Sequence, residues 1–304
     1  MLRPGPTMRL GPLRADRTLV ALAGGLAAAL GVVYALAVLA APGQRIDNLT
    51  LGDFHSGTGL RDLDLPEAIL APVSAPTAVL LGAGCIAVAL LRRRADLALA
   101  AGVLMVGANL TSQLLKPLLT RPDLAETLNR ELTTGLREGT FPSGHVMVVV
   151  ALGMALTLVA SPAARPAAAT IAAMAAAATG AAVLALNWHR PSDVVGAYLI
   201  GAAWMVLVTA FIDRRRVEPG TGRAAWAAAG VSAVLGLVAT LFLLALGWGP
   251  ESDTFIEERS AFVLGSVAVA VCAVAVSWLA LAILPSPPLL HPREPHRLGA
   301  ERPG

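Results

Sequence analysis

HRPSDVVGAYLIGAAWMVLVTAFI, residues 189–212, decides how the rest of the chain is read. From Val194 to Ile212 no residue is charged, and Pro191, Ser192 and Asp193 supply a helix start. A helix rises 1.5 Å per residue, so about 20 apolar residues cross the hydrocarbon of a bilayer. Outward from this block lie seven more, near 18–41, 71–91, 97–119, 145–160, 166–188, 224–247 and 261–284. The fourth along the chain is short, but Ser143 and Gly144 extend it. None alternates with period two, which disfavours a membrane β-barrel. The expected fold class is all-α, a polytopic membrane helix bundle.

Composition agrees. Of 304 residues, 56% are apolar and only 14% charged, about half the charge of a soluble domain. Ala, Gly, Leu and Val dominate the blocks, and small residues let helices approach closely in lipid. Cys85 and Cys272 both sit in apolar runs and read as core residues rather than a disulfide framework. The net charge of +3 is spread among apolar blocks, with no basic domain to bind nucleic acid. A signal peptide is the competing reading of the first block, which is long for an h-region of about 7–15 residues.

Charge sets an orientation. With the N-terminus in the cytoplasm, the inner segments carry 15 basic and 6 acidic residues and the outer ones 8 and 14. This positive-inside bias favours an even number of spans with both ends inside. Residues 42–70, 120–144, 189–191 and 248–260 are then outward loops. The chain divides into a basic N-terminus (1–17), a six-helix core (18–212), a cytoplasmic loop (213–223), two further spans (224–284) and a Pro/Arg-rich tail (285–304).

Several residues do not suit a passive bundle. Lys116 is the one lysine among 23 basic residues, and it falls at the outer end of the third span, five residues before Arg121-Pro122. A snorkelling anchor is its ordinary reading. Phe141-Pro142-Ser143-Gly144-His145 opens the fourth span. That span runs inward, so its N-terminal N–H groups and dipole face out and suit an anion. His189 and Asp193, four apart, open the sixth span at the same face, where a carboxylate fixes an imidazole tautomer. Two histidines, a carboxylate and several cations converging on one anion are equipment for phosphoryl transfer through a phosphohistidine. The alternative chemistry, a two-histidine zinc site, lacks further nearby ligands.

These residues resemble the three-part signature of the type 2 phosphatidic acid phosphatase superfamily, which includes lipid phosphate phosphatases. The first motif of that family is Lys, six residues, Arg-Pro; here four residues, Pro117 to Thr120, separate Lys116 from Arg121-Pro122. The second, Pro-Ser-Gly-His, is intact at 142–145. The third, Ser-Arg, five residues, His, three residues, Asp, keeps His189 and Asp193 but has Ala182 and Val183 in place of Ser-Arg. The resemblance implies an integral membrane phosphatase acting at the outer leaflet on a lipid phosphate or diphosphate, such as a polyprenyl diphosphate. It implies His189 as nucleophile, Asp193 as its orienter and His145 as general acid. Lys116, Arg121, Ser143 and Gly144 would bind phosphate, with no metal and no cofactor. Arg190 and Arg137 are the candidates to replace the missing arginine. The partners implied are membrane lipid and the phosphorylated lipid substrate, with any oligomeric partner left open. Two readings compete: a non-catalytic member that binds or moves a phosphorylated lipid, and a transporter.

Overall fold

The apolar blocks become helices where a capping residue precedes them. The computed structural model describes residues 15–55, 65–122, 124, 140–212 and 260–284. Among these residues there is no strand, and the elements are helical. α1 (Arg17–Val33) starts at Asp16, whose carboxylate accepts the Thr18 N–H at 3.0 Å, and continues into a π-helical stretch, Tyr34–Val38. Next come α2 (Ala41–His55), α3 (Leu65–Leu70), α4 (Ala75–Leu91) and α5 (Ala95–Leu115). The bundle continues with α6 (Gly144–Val159), α7 (Arg165–Ala185), α8 (Pro191–Ala210) and α9 (Ser260–Ile283).

Seven of the eight expected spans appear as helices, and the eighth, 224–247, lies outside the described residues. Five are long and apolar enough to cross a membrane: Arg17–Val38, Ala95–Leu115, Arg165–Ala185, Pro191–Ala210 and Ser260–Ile283. Ala75–Leu91 and Gly144–Val159 are apolar but shorter. α4 begins later than expected because Ser74 caps it, with proline in its first turn. The segment 42–70, read as a connecting loop, contains two helices, α2 and α3. Its low hydropathy hid them, since α2 carries polar residues every third position and no apolar run.

α6 packs against both α5 and α7, α1 lies on α8, and α9 packs on α7 and α8. Small residues set these distances. A Cβ at Gly180 on α7 would fall 2.5 Å from Val269 Cγ1 on α9 and 2.8 Å from Tyr198 Oη on α8, so only glycine lets the three helices meet there. The Tyr198 hydroxyl, buried in that core, donates to the Ala176 carbonyl at 2.9 Å. This packing brings one end of α5, α6 and α8 together.

Candidate active site

Two residues past the end of α7, Asn187, with a φ of 54°, turns the chain out of the helix. The Val183 carbonyl then accepts both the Trp188 N–H (3.0 Å) and the His189 N–H (3.2 Å), fixing the backbone of His189 against the helix end. Pro191, in the first turn of α8, restarts a helix at once. Asp193 therefore lies one turn beyond His189, and its Oδ2 meets His189 Nδ1 at 3.3 Å. The same Oδ2 accepts the Arg190 N–H at 3.1 Å. Asp193 is fully buried and His189 nearly so.

The Pro-Ser-Gly-His segment docks onto this turn. The Ser143 N–H donates to the Asp193 carbonyl at 2.9 Å, and the Ser143 hydroxyl caps α6 by accepting the Val146 N–H at 3.5 Å. His145 follows in the first turn of α6. Its ring centroid lies 6.5 Å from that of His189 and 5.3 Å from Trp188. Lys116, capping the end of α5, reaches over the start of α6: a Cβ on Gly144 would sit 3.0 Å from Nζ. Any larger residue at 144 would displace the cation. Burial lowers the Lys116 pKa below the ordinary lysine value, and the Asp193 carboxylate partly opposes this.

Arg121 enters from the other side of Asp193. Its Nη2 lies 3.4 Å from Asp193 Oδ1, 2.8 Å from Ser192 Oγ and 3.0 Å from Asp47 Oδ2. Its buried Nε has no hydrogen-bond partner among the described residues. A buried guanidinium N–H left open is a donor waiting for an acceptor. Arg190 is buried at the start of α8, and its Nε donates to Asn48 Oδ1 at 2.8 Å. Arg137 lies outside the described residues. Val183, at the position where the family resemblance expects arginine, is fully buried in the apolar core. A guanidinium there would have to displace packed side chains.

The structure thus gathers Lys116, Arg121, Ser143, Gly144, His145, His189, Arg190 and Asp193 at one end of α5, α6 and α8. It also adds two residues that motif reading missed. Asp47 and Asn48, both on α2, reach Arg121 and Arg190. Burial raises the Asp47 pKa, against the lowering effects of Arg121 and Ser192. The one signal of Asp47 in the sequence is a polar stripe, Gln44, Asp47 and Thr50, at helical spacing.

An imidazole oriented by a carboxylate, a second imidazole across a gap, and cations around both can transfer a phosphoryl group. Neither a curated protein nor a solved structure matches the chain. The segment that carries Lys116, Arg121, the Pro-Ser-Gly-His run, His189 and Asp193, residues 97–217, matches the PAP2 superfamily, the family its motifs resemble.

Proposed function

We propose that this chain is a membrane phosphatase that hydrolyses a lipid phosphate or diphosphate at the outer leaflet through a phosphohistidine. The apolar helices and the superfamily match suggest a membrane phosphatase. The observation that carries the mechanism is the pair of imidazoles 6.5 Å apart, one of them held by Asp193. That gap suits one tetrahedral phosphate with a histidine on either side.

Asp193 accepts a hydrogen bond from His189 Nδ1–H, which keeps the proton on Nδ1 and leaves the Nε2 lone pair free to attack phosphorus. As the N–P bond forms, the P–O bond to the lipid breaks, and His145 gives its proton to the leaving oxygen. Lys116, the N-terminal N–H groups of α6 and Arg121 Nε bear the charge on the remaining oxygens. Water, deprotonated by His145, then cleaves the N–P bond and releases phosphate. Arg190 is the cation that stands in for the absent arginine of the third motif, held at the mouth of α8 by Asn48.

Phosphate release from phosphatidate or polyprenyl diphosphate by purified protein in lipid nanodiscs tests this reading. Turnover in the wild type, and no ³²P-labelled protein after His189→Ala, are the expected results. Turnover that survives His189→Ala would sink the histidine mechanism. The competing reading, a member that binds or moves a phosphorylated lipid without cleaving it, draws support from Val183, an apolar residue where a phosphate ligand is expected. Lipid phosphate binding without any release would favour it.

A further inference from the structure

α2 is built inside out for a helix at a protein surface. Its polar residues Gln44, Asp47 and Thr50 are buried, while Ile46 and Leu49 are 69% and 46% exposed. The buried stripe grips the loop that carries Arg121. Gln44 Nε2 donates to the Pro122 carbonyl at 2.6 Å and to the Val38 carbonyl at 2.7 Å, and Gln44 Oε1 accepts the Leu124 N–H at 3.3 Å. From the same side, Tyr34 Oη donates to the Thr120 carbonyl at 2.8 Å, and Arg121 Nη1 lies 3.4 Å from the Ala37 carbonyl.

Asp47 occupies the centre of this contact. Its Oδ1 accepts the Ser192 N–H at 3.1 Å, and its Oδ2 accepts a hydrogen bond from the Ser192 hydroxyl and faces Arg121 Nη2 at 3.0 Å. The residue before α8, Arg190, gives that helix no side-chain cap of the ordinary kind. A carboxylate from another helix therefore fills the place, next to the positive end of the α8 dipole. A guanidinium is a rigid planar fork, so fixing Nη2 fixes where Nε points. Asp47, Ser192 and Asp193 all meet Arg121 at Nη2, and Nε has no partner among the described residues.

We infer that Asp47 is a positioning residue of the catalytic centre: it clamps Arg121 by Nη2 and the start of α8 by Ser192, and so presents Arg121 Nε to the phosphate. The inference rests on the proposed phosphatase reading for its substrate. α2 lies outside residues 97–217, so the site draws on a helix beyond the matched segment.

The test is a double-mutant cycle in nanodiscs with phosphatidate as substrate and thermal unfolding measured alongside. Asp47→Asn keeps the shape and removes the charge that clamps the guanidinium. Turnover should fall by roughly ten- to a hundredfold, the scale of one charge-assisted contact. Arg121→Gln should cost at least as much. The double variant should be no worse than Arg121→Gln alone, because Asp47 acts through Arg121. Asp47→Glu, which retains the charge, should recover part of the loss, whereas Asp47→Ala should not. Asp47→Asn combined with Lys116→Gln should multiply the two losses. If the Asp47 and Arg121 losses multiply instead, or if Asp47→Asn turns over like wild type, the inference is overturned.

Should Asp47→Asn prove unstable, the cycle is read with Asp47→Glu against Arg121→Lys, which keep both charges and alter only reach. The expected coupling and the overturning result are the same. Wild type that cleaves no lipid phosphate would defeat the phosphatase reading but leave the clamp testable by titration with inorganic phosphate. Binding weakened equally by Asp47→Asn, Arg121→Gln and the double variant supports the clamp. Equal binding by Asp47→Asn and wild type, or no binding by any of them, refutes it.

Discussion

Lys116 shows how much a single side chain can be asked to do. Its ammonium lies over Gly144, at the N-terminal end of α6, where a phosphate oxygen would gain both a charge and backbone donors. Burial lowers its pKa, with Asp193 opposing. A lysine holds its charge below its pKa and loses it as pH rises through that value. This charge is therefore lost at a lower pH than the ordinary value of about 10.4. The KM for phosphatidate should accordingly begin to rise on the alkaline side, at a pH below the ordinary lysine value. Lys116→Arg should abolish that alkaline rise, since guanidinium stays charged throughout. At neutral pH it should raise KM several-fold, because a planar fork does not replace a compact ammonium in so tight a place. A KM profile unchanged by the substitution would remove Lys116 from phosphate binding. The sequence made this residue visible through its rarity, as the one lysine among many arginines, and through its spacing before Arg121-Pro122. It could not show Arg121 turned toward Asp47, because that orientation depends on a residue 74 positions away.

At the scale of helices, the spans were legible and α2 was not, for one physical reason. A span announces itself by an uninterrupted apolar run, which needs no knowledge of its neighbours. α2 has its polar stripe turned inward, and such a pattern reads from sequence as an ordinary solvent-facing surface. Its meaning appears only when the partners of the stripe, Arg121, Ser192 and the 120–124 loop, are known. Close helix packing was equally hidden, because the sequence does not show which glycines are tight; among the described ones Gly107, Gly153, Gly180, Gly196, Gly201 and Gly265 are. Gly180 is one of the tight ones. Gly180→Val should destabilise the meeting of α7, α8 and α9 by about 1–3 kcal/mol, the usual cost of overpacking. A lower Tm in detergent, followed by tryptophan emission, would check this. Gly84→Val faces nothing within 4 Å and should leave Tm unchanged.

For the whole molecule, the charge bias predicts which end of the bundle faces out, and labelling tests it. In a background lacking Cys85 and Cys272, cysteine at exposed Glu67 should react with an impermeant reagent in intact cells. Cysteine at exposed Arg93 should react only after the membrane is opened. The reverse pattern would put the end that carries His145 and His189 in the cytoplasm. The inverted character of α2 carries a further consequence. A helix that hides its polar side and shows Ile46 and Leu49, with exposed Arg45 beside them, suits the boundary between lipid and water. The surrounding lipid then acts as a structural component that holds Asp47 in contact with Arg121. Stripping it with a harsh detergent should loosen α2 before any span unfolds. Activity should fall while helical circular dichroism stays constant, and should return when lipid is added back. Ile46→Ser with Leu49→Ser should mimic the stripped state even in a bilayer.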